Sequence, residues 1–110
     1  MKKLVGLATL LLLFHSASTT CAQGLLGTIA GAVTDSTGAV VVGATVSARN
    51  PATNFAVTTA TQGNGLYQLP NLQAGTYTVS ISQPGFQTVV NSQILVQAER
   101  TATVNASLQI

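Results

Sequence analysis

Charged and chemically reactive side chains are scarce in this sequence. The 110 residues include four Lys or Arg, two Asp or Glu, one His, one Cys and no Trp. A single cysteine excludes an intramolecular disulfide framework, so a domain of this size has to be stabilised by strand pairing and core packing.

The first 22 residues have the order of a secretory signal peptide. Lys2 and Lys3 precede an apolar run, Leu4 to Phe14, and a small and polar segment follows. This run is shorter than the roughly 20 residues that a membrane-spanning helix needs. We therefore predict cleavage after Ala22, a short linker at residues 23–27, one domain at 28–110 and no transmembrane segment in the mature chain. Lipidation at Cys21 is the alternative, but the preceding Ser18, Thr19 and Thr20 lack the apolar pattern of lipoprotein signals.

Removal of this leader takes away both lysines, the histidine and the cysteine. The charged side chains that remain are Asp35, Arg49, Glu99 and Arg100, with a formal net charge of zero. No basic patch is left to neutralise phosphates, which argues against a nucleic-acid partner. No histidine, thiol or lysine is left as a base or nucleophile, so we predict that the domain is not an enzyme.

The rest of the chain alternates apolar and polar residues with a period of two, between turn clusters. The clearest case is "TYTVSIS", which places Tyr77, Val79 and Ile81 on one face and hydroxyl side chains on the other. Turn signals recur every 8 to 12 residues, for example "DSTG" and "QGNG". This pattern predicts an all-β fold, an antiparallel sandwich of about seven strands.

The predicted polar faces consist of Thr, Ser, Gln and Asn, with almost no charge. Sheet edges are usually protected by charged side chains, especially lysine. We expect Pro51, Pro70, Pro84 and bulges at glycines to protect the edges here, or further protein to cover one of them.

Two stretches carry a family resemblance, "GTIAGAVTDSTGAVVVGATVSARN" and "TTATQGNGLYQLPNLQAGTYTVSISQPGF". They resemble the carboxypeptidase regulatory-like domain, over Gly27 to Phe86 well and beyond it loosely. Val42 departs from the pattern, since the family often has proline there. The resemblance implies a transthyretin-like, or prealbumin-like, sandwich with no peptidase residues of its own. A leader followed directly by this domain is similar to the start of a TonB-dependent outer-membrane receptor, so an exported location (periplasm, outer membrane or extracellular) is expected.

Tyr67 and Tyr77 are the candidate ligand-binding aromatics, because carbohydrate-binding sites often stack sugar rings on exposed aromatic side chains. Both fall on the inward parity of their strands, which favours the core. "LQAGTY" also resembles a tyrosine corner, in which the Tyr77 hydroxyl bonds a backbone group a few residues upstream. Exposed tyrosine rings would support carbohydrate binding through the starch-binding-like fold, and buried rings would support a protein-interaction module.

The remaining candidates have simple structural interpretations. Asp35 alone cannot supply a calcium site and is expected to bond its own turn. Glu99 and Arg100 are expected in a solvated turn, Phe55 and Phe86 at strand ends, and the "NAS" sequon at Asn105 within a strand. The sequence assigns no catalytic, cofactor-binding or metal-binding residue and leaves the ligand-binding residues open. We expect an envelope protein, or the remainder of a larger receptor, as partner.

Overall fold

The computed structural model describes residues 25–110, and these residues form eight strands and no helix. The strands are β1 (Leu26–Asp35), β2 (Thr45–Asn50), β3 (Phe55–Ala60), β4 (Leu66–Gln73), β5 (Gly75–Ser82), β6 (Val89–Val96), β7 (Thr101–Thr103) and β8 (Ala106–Leu108). The predicted signal peptide, its cleavage after Ala22 and the alternative at Cys21 lie outside these described residues. The part of the chain from residue 25 onward contains no helix of the length and apolarity needed to cross a membrane.

The strands form two sheets. In the first, β4 pairs with one side of β1 while β7 and β8 pair with the other; the second has the order β3-β2-β5-β6. All pairs of the second sheet are antiparallel, as is the pair β1–β4. The predicted β-sandwich is therefore confirmed.

The core lies between the two sheets and is built by the alternation that the sequence shows. Val46 and Ala48 of β2, and Val79 and Ile81 of β5, have no solvent-exposed surface, whereas their strand neighbours point outward. From the first sheet, Ile29, Val33, Leu69, Leu72 and Leu108 close the core. A period of two thus places one apolar face of each sheet inside.

The C-terminal segment differs from the expected antiparallel strand. It is interrupted at Val104 and Asn105, and the two short strands on either side, β7 and β8, both run parallel to β1. The interruption occurs where Gly31 of β1 meets the Val104 backbone. A Cβ at Gly31 would collide with the Val104 carbonyl oxygen, so only glycine permits this close approach.

Two predicted boundaries also shift. β1 begins at Leu26, inside the segment predicted as a linker. The "PNLQAG" turn is mostly strand, because β4 continues through Pro70 to Gln73. At Asn71, which has a φ of 63°, β4 contains one residue more than the segment of β1 opposite it. This bulge allows the strand to continue past the proline.

Candidate functional site

The two tyrosines that the sequence singles out are both buried and hydrogen-bonded. The Tyr77 hydroxyl donates to the carbonyl oxygen of Gln73 at 2.8 Å, four residues upstream, which confirms the predicted tyrosine corner. The Tyr67 hydroxyl donates to the Val104 carbonyl oxygen at 2.5 Å, and burial raises the pKa of Tyr67 to about 12. Neither ring is accessible for stacking on a ligand.

Asp35 closes its own turn, as predicted. One carboxylate oxygen accepts hydrogen bonds from the Thr37 hydroxyl at 2.6 Å, the Thr37 backbone N–H at 2.8 Å and the Ala39 N–H at 3.1 Å. These bonds, led by that of the Thr37 hydroxyl, hold the pKa of Asp35 below its ordinary value of 3.8. Residues 25–110 contain no group of three His, Cys, Asp or Glu that could hold a metal ion.

Asn105 has a structural role that the sequence did not indicate. Its side-chain oxygen accepts a hydrogen bond from the Ala32 N–H at 2.9 Å. Asn105 lies in the gap between β7 and β8. Its side chain therefore bonds a backbone N–H of β1 that neither of these two strands reaches. The asparagine of the "NAS" sequon is thus engaged in the sheet.

Three of the four sheet edges have local features that hinder pairing with a further strand. The register of β4 shifts so that Pro70 and Asn71 stand opposite one residue of β1. The register of β6 shifts in the same way at Ser92 and Gln93, and Gln93 has a φ of 62°. Bulges of this kind bend an edge strand and interrupt the row of pairing groups. At the remaining edge of the first sheet, β7 and β8 are only three residues each.

The fourth edge, strand β3, lacks every one of these protections. Its sequence, "FAVTTA", has no proline, no charge and no glycine, and its six residues pair with β2 in unbroken register. The sequence did predict a shortage of edge protection, but it could not predict which strand would be affected. That depends on the strand order, which sequence periodicity does not encode.

The hydrogen bonds next to β3 show which of its backbone groups are free. The Thr61 N–H donates to the Ala44 carbonyl oxygen at 2.9 Å, so the backbone of Thr61 points toward β2. Because antiparallel strands alternate the direction of their backbone groups, Thr59 and Val57 also point toward β2. The N–H and C=O groups of Ala56, Thr58 and Ala60 therefore point away from the sheet, and no other backbone within the described residues bonds them.

The side chains of these three residues lie on the outer face of the second sheet. Ala56 pairs with Arg49, Thr58 with Ser47 and Ala60 with Thr45, and the buried residues of β2 pair with the other β3 residues. The strand thus offers small, neutral side chains beside free backbone groups. We call Ala56, Thr58 and Ala60, with their outward N–H and C=O groups, the β3 edge.

An end cleft of about 370 Å³ lies beside the start of β3. It is lined by Leu26, Asn50, Thr53, Phe55, Asn71, Gln73 and Tyr77. Phe55 is 49% exposed and forms an aromatic side of the cleft. Three of the six other lining residues, Asn50, Asn71 and Gln73, carry amide groups, and none of the lining residues is charged.

Comparison with known proteins identifies the family and the fold. The family model of the carboxypeptidase regulatory-like domain matches residues 28–109. No curated protein sequence matches the chain.

Solved structures with the same fold have different roles. The TIE protein of Bacillus anthracis is 25% identical (TM-score 0.66), over 77% of this chain and 16% of that one. A putative carbohydrate binding protein of Bacteroides uniformis is 18% identical (TM-score 0.57), over 74% and 40%. A hydroxyquinol 1,2-dioxygenase of Pseudomonas putida is 10% identical (TM-score 0.59), over 78% and 57%. The chain therefore spans less than two thirds of each of these proteins, and the two less similar ones show the fold alone.

Proposed function

Because this chain belongs to the carboxypeptidase regulatory-like domain family, we propose that it is a non-catalytic interaction module of the cell envelope. In this proposal the open β3 edge pairs with an extended strand of another envelope protein, or of the remainder of a larger receptor. The role resembles that of the N-terminal extension of a TonB-dependent receptor. The observation that carries the proposal is the β3 edge, six residues long and without charge, proline or bulge.

The chemistry of the described residues supports a non-catalytic role. Catalysis needs a base or nucleophile placed in a pocket that excludes water. The Asp35 carboxylate is occupied by its own turn, and both tyrosine hydroxyls are bonded to backbone carbonyl groups. The Asp35 carboxylate and the two tyrosine hydroxyls thus hold the fold together.

The mechanism of recognition would be strand addition. An added strand forms backbone hydrogen bonds with the exposed edge, and its alternate side chains select the partner. Ala56, Thr58 and Ala60 supply the free backbone groups, and their small side chains leave the approach unobstructed. Export of the module rests on the predicted leader, whose Lys2, Lys3 and apolar run stand in the order of a secretory signal.

Photo-crosslinking in the native envelope tests this proposal. A photoreactive phenylalanine analogue is placed at Ala56, on the edge, and in a parallel variant at Ser80, in the interior strand β5 of the same sheet. We expect a discrete crosslinked product from position 56 that position 80 does not give.

Two variants then test whether strand pairing is responsible for that product. Thr58→Pro removes an outward N–H without removing a bond to β2, and prolines are tolerated on edge strands for that reason. Thr58→Lys keeps the backbone and places a charge at the edge. We expect both variants to abolish the crosslink while retaining the thermal unfolding transition. A crosslink that survives both substitutions would contradict strand addition.

Carbohydrate binding is the second candidate, and the end cleft replaces the two tyrosines as its proposed site. The buried rings of Tyr67 and Tyr77 favour the interaction module by the criterion set out above. The end cleft nevertheless combines the half-exposed ring of Phe55 with the amides of Asn71 and Gln73. An aromatic ring beside neutral hydrogen-bonding groups suits a sugar.

A titration with maltotriose, followed by NMR, tests this second candidate. Chemical-shift changes confined to the end cleft and lost in Phe55→Ala, but retained in the control Val90→Ala, would support it. Val90 is a comparably exposed apolar residue on β6, outside the cleft. Shift changes that persist in Phe55→Ala, or none at all, would refute it for this ligand.

A further inference from the structure

We propose that the strand paired at the β3 edge is β3 of a second copy of this chain, arranged antiparallel about a two-fold axis that passes midway between the Thr58 residues of the two copies. The inference rests on the proposed function, because it names the partner of the same edge. It follows from the register, the side chains and the charges of β3.

The register follows from which backbone groups are free. An added antiparallel strand exchanges hydrogen bonds only between residues whose N–H and C=O groups point outward, and these are Ala56, Thr58 and Ala60. Centring the axis on Thr58 pairs Thr58 with itself and Ala56 with Ala60 of the second copy. This arrangement uses all of the outward groups, for about six hydrogen bonds across the interface. Shifting the axis by one residue in either direction leaves an outward residue of each copy unpaired.

The side chains on the outer face fit this register. Alanine stands opposite alanine and threonine opposite threonine, and threonine pairs across antiparallel strands are favourable. The charge nearest the edge is that of Arg49, which pairs with Ala56 on its own sheet. In the paired sheet, Arg49 of one copy lies in the same cross-strand row as Thr45 of the second copy. The two arginines therefore do not stand opposite each other. A strand that carried a charge at an outward position would be much less able to pair with itself.

The inner face of the edge gains apolar contact. In the same register Val57 lies beside Thr59 of the second copy, and both residues are half-buried in the single chain. Pairing therefore covers part of the Val57 side chain, which provides a small apolar contribution in addition to the backbone bonds.

The size of the interface sets the expected affinity. Two strands of six residues bury less than the roughly 1,200 Å² of a stable protein–protein interface. We therefore expect a weak dimer with a Kd between about 10 µM and 1 mM, populated where copies are concentrated at a surface. The product would be a continuous sheet of eight strands, with the order β6-β5-β2-β3 followed by its mirror order in the second copy.

Cysteine crosslinking tests the register directly, because residues 25–110 contain no cysteine. The exported chain, with Cys21→Ser as a precaution, is oxidised as Thr58→Cys, as Ala56→Cys, and as a mixture of Ala56→Cys with Ala60→Cys. We expect disulfide dimers from Thr58→Cys and from the mixture, but not from Ala56→Cys alone. Ser80→Cys, in the interior strand β5, is the matched control and should remain monomeric. Efficient dimerisation of Ala56→Cys alone would indicate a different register or a parallel arrangement and would overturn the inference.

Sedimentation equilibrium of the chain without added cysteines gives the second measurement. We expect the mean mass to rise toward that of a dimer up to about 1 mM protein, and Thr58→Pro and Thr58→Lys to stay monomeric over that range. A chain that is monomeric at about 1 mM overturns self-pairing. If the envelope crosslink at Ala56 is then still abolished by Thr58→Pro, the proposed function stands with a different partner. If neither measurement responds to Thr58→Pro, both proposals fail.

Discussion

The hydrogen bond between Tyr67 and Val104 links β4 to the interruption between β7 and β8, and its removal gives a sharp test of the fold. The Tyr67 side chain is buried, and its hydroxyl donates to the Val104 carbonyl oxygen. Val104 sits where β1 passes closest, because Gly31 leaves no side chain in between. The substitution Tyr67→Phe removes the donor and preserves the ring.

The expected cost comes from a buried carbonyl group that loses its partner. Leaving a buried polar group unsatisfied costs about 1–3 kcal/mol. For a domain of this size each kcal/mol lowers Tm by about 4–8 °C. We therefore expect Tyr67→Phe to be less stable at pH 7 by about 1–3 kcal/mol, while its strand content is unchanged.

The same residue makes a separate prediction at alkaline pH. Burial raises the pKa of Tyr67 from 10.0 to about 12. Above pH 10 the unfolded chain releases this proton while the folded chain retains it, so the free energy of unfolding falls as pH rises through this window. The loss amounts to about 2 kcal/mol by pH ~11.5. Tyr67→Phe lacks this titration, so the stability difference between the two proteins should narrow as pH rises.

Urea unfolding of both proteins, followed by circular dichroism at intervals between about pH 7 and pH 11.5, measures both effects. Two results would refute the reasoning. Equal stability at pH 7 would mean that the hydroxyl bond contributes nothing to the fold. A stability difference that stays constant to pH ~11.5 would mean that the buried hydroxyl does not titrate as the structure implies.

Three further substitutions test other parts of the fold. Tyr77→Phe should cost about 1 kcal/mol, because the hydrogen bond from the Tyr77 hydroxyl to Gln73 is only partly buried, and an unchanged midpoint of urea unfolding would count against that corner. Gly31→Ala should cost more than about 3 kcal/mol or prevent folding, because its Cβ meets the Val104 carbonyl group, whereas Gly63→Ala, with open space around it, should stay within about 0.5 kcal/mol. Asp35→Asn should remove an acid-dependent loss of stability. The hydrogen bonds to the Asp35 carboxylate stabilise the fold above pH 3.8, and this stabilisation is lost as the pH falls through the lowered pKa of Asp35. Identical acid unfolding profiles for the two proteins would be inconsistent with this role.

The sequence was sufficient to predict the parts of the fold that depend on local alternation. The inward faces of β2 and β5 could be predicted because a strand with one buried face must alternate. The tyrosine corner at Tyr77 could be predicted because both of its partners lie within one short turn. In each case the relevant residues are neighbours in the chain.

The features that the sequence did not reveal depend on distant pairs. The parallel pairing of β7 and β8 with β1 joins segments that are some 70 residues apart, and their alternation looks the same in either direction. The bulges at Asn71 and Gln93 arise where the register of one strand is fixed by another. Glutamine gives no signal for a positive φ, and asparagine, although enriched there, is also common in ordinary turns. The expectation of bulges at glycines therefore missed both positions.

The uneven protection of the edges is the strongest structural argument for a role at β3. Among residues 25–110, β4 and β6 carry bulges at Asn71 and Gln93, both with a positive φ. Asparagine tolerates this backbone conformation, but it costs a residue such as glutamine about 1–2 kcal/mol. The β6 edge is thus interrupted at a cost in backbone strain. A single lysine at Ala56, Thr58 or Ala60 would protect β3 at little cost, since all three side chains are exposed. An edge left open beside three protected edges, one of them protected at the expense of stability, is expected when pairing at that edge is part of what the module does. Thr58→Lys should therefore leave the free energy of unfolding of the isolated domain within about 0.5 kcal/mol of the unmodified protein while it abolishes association. A large loss of stability in this variant would show instead that the neutral edge is required by the fold, and the argument for a functional edge would fail.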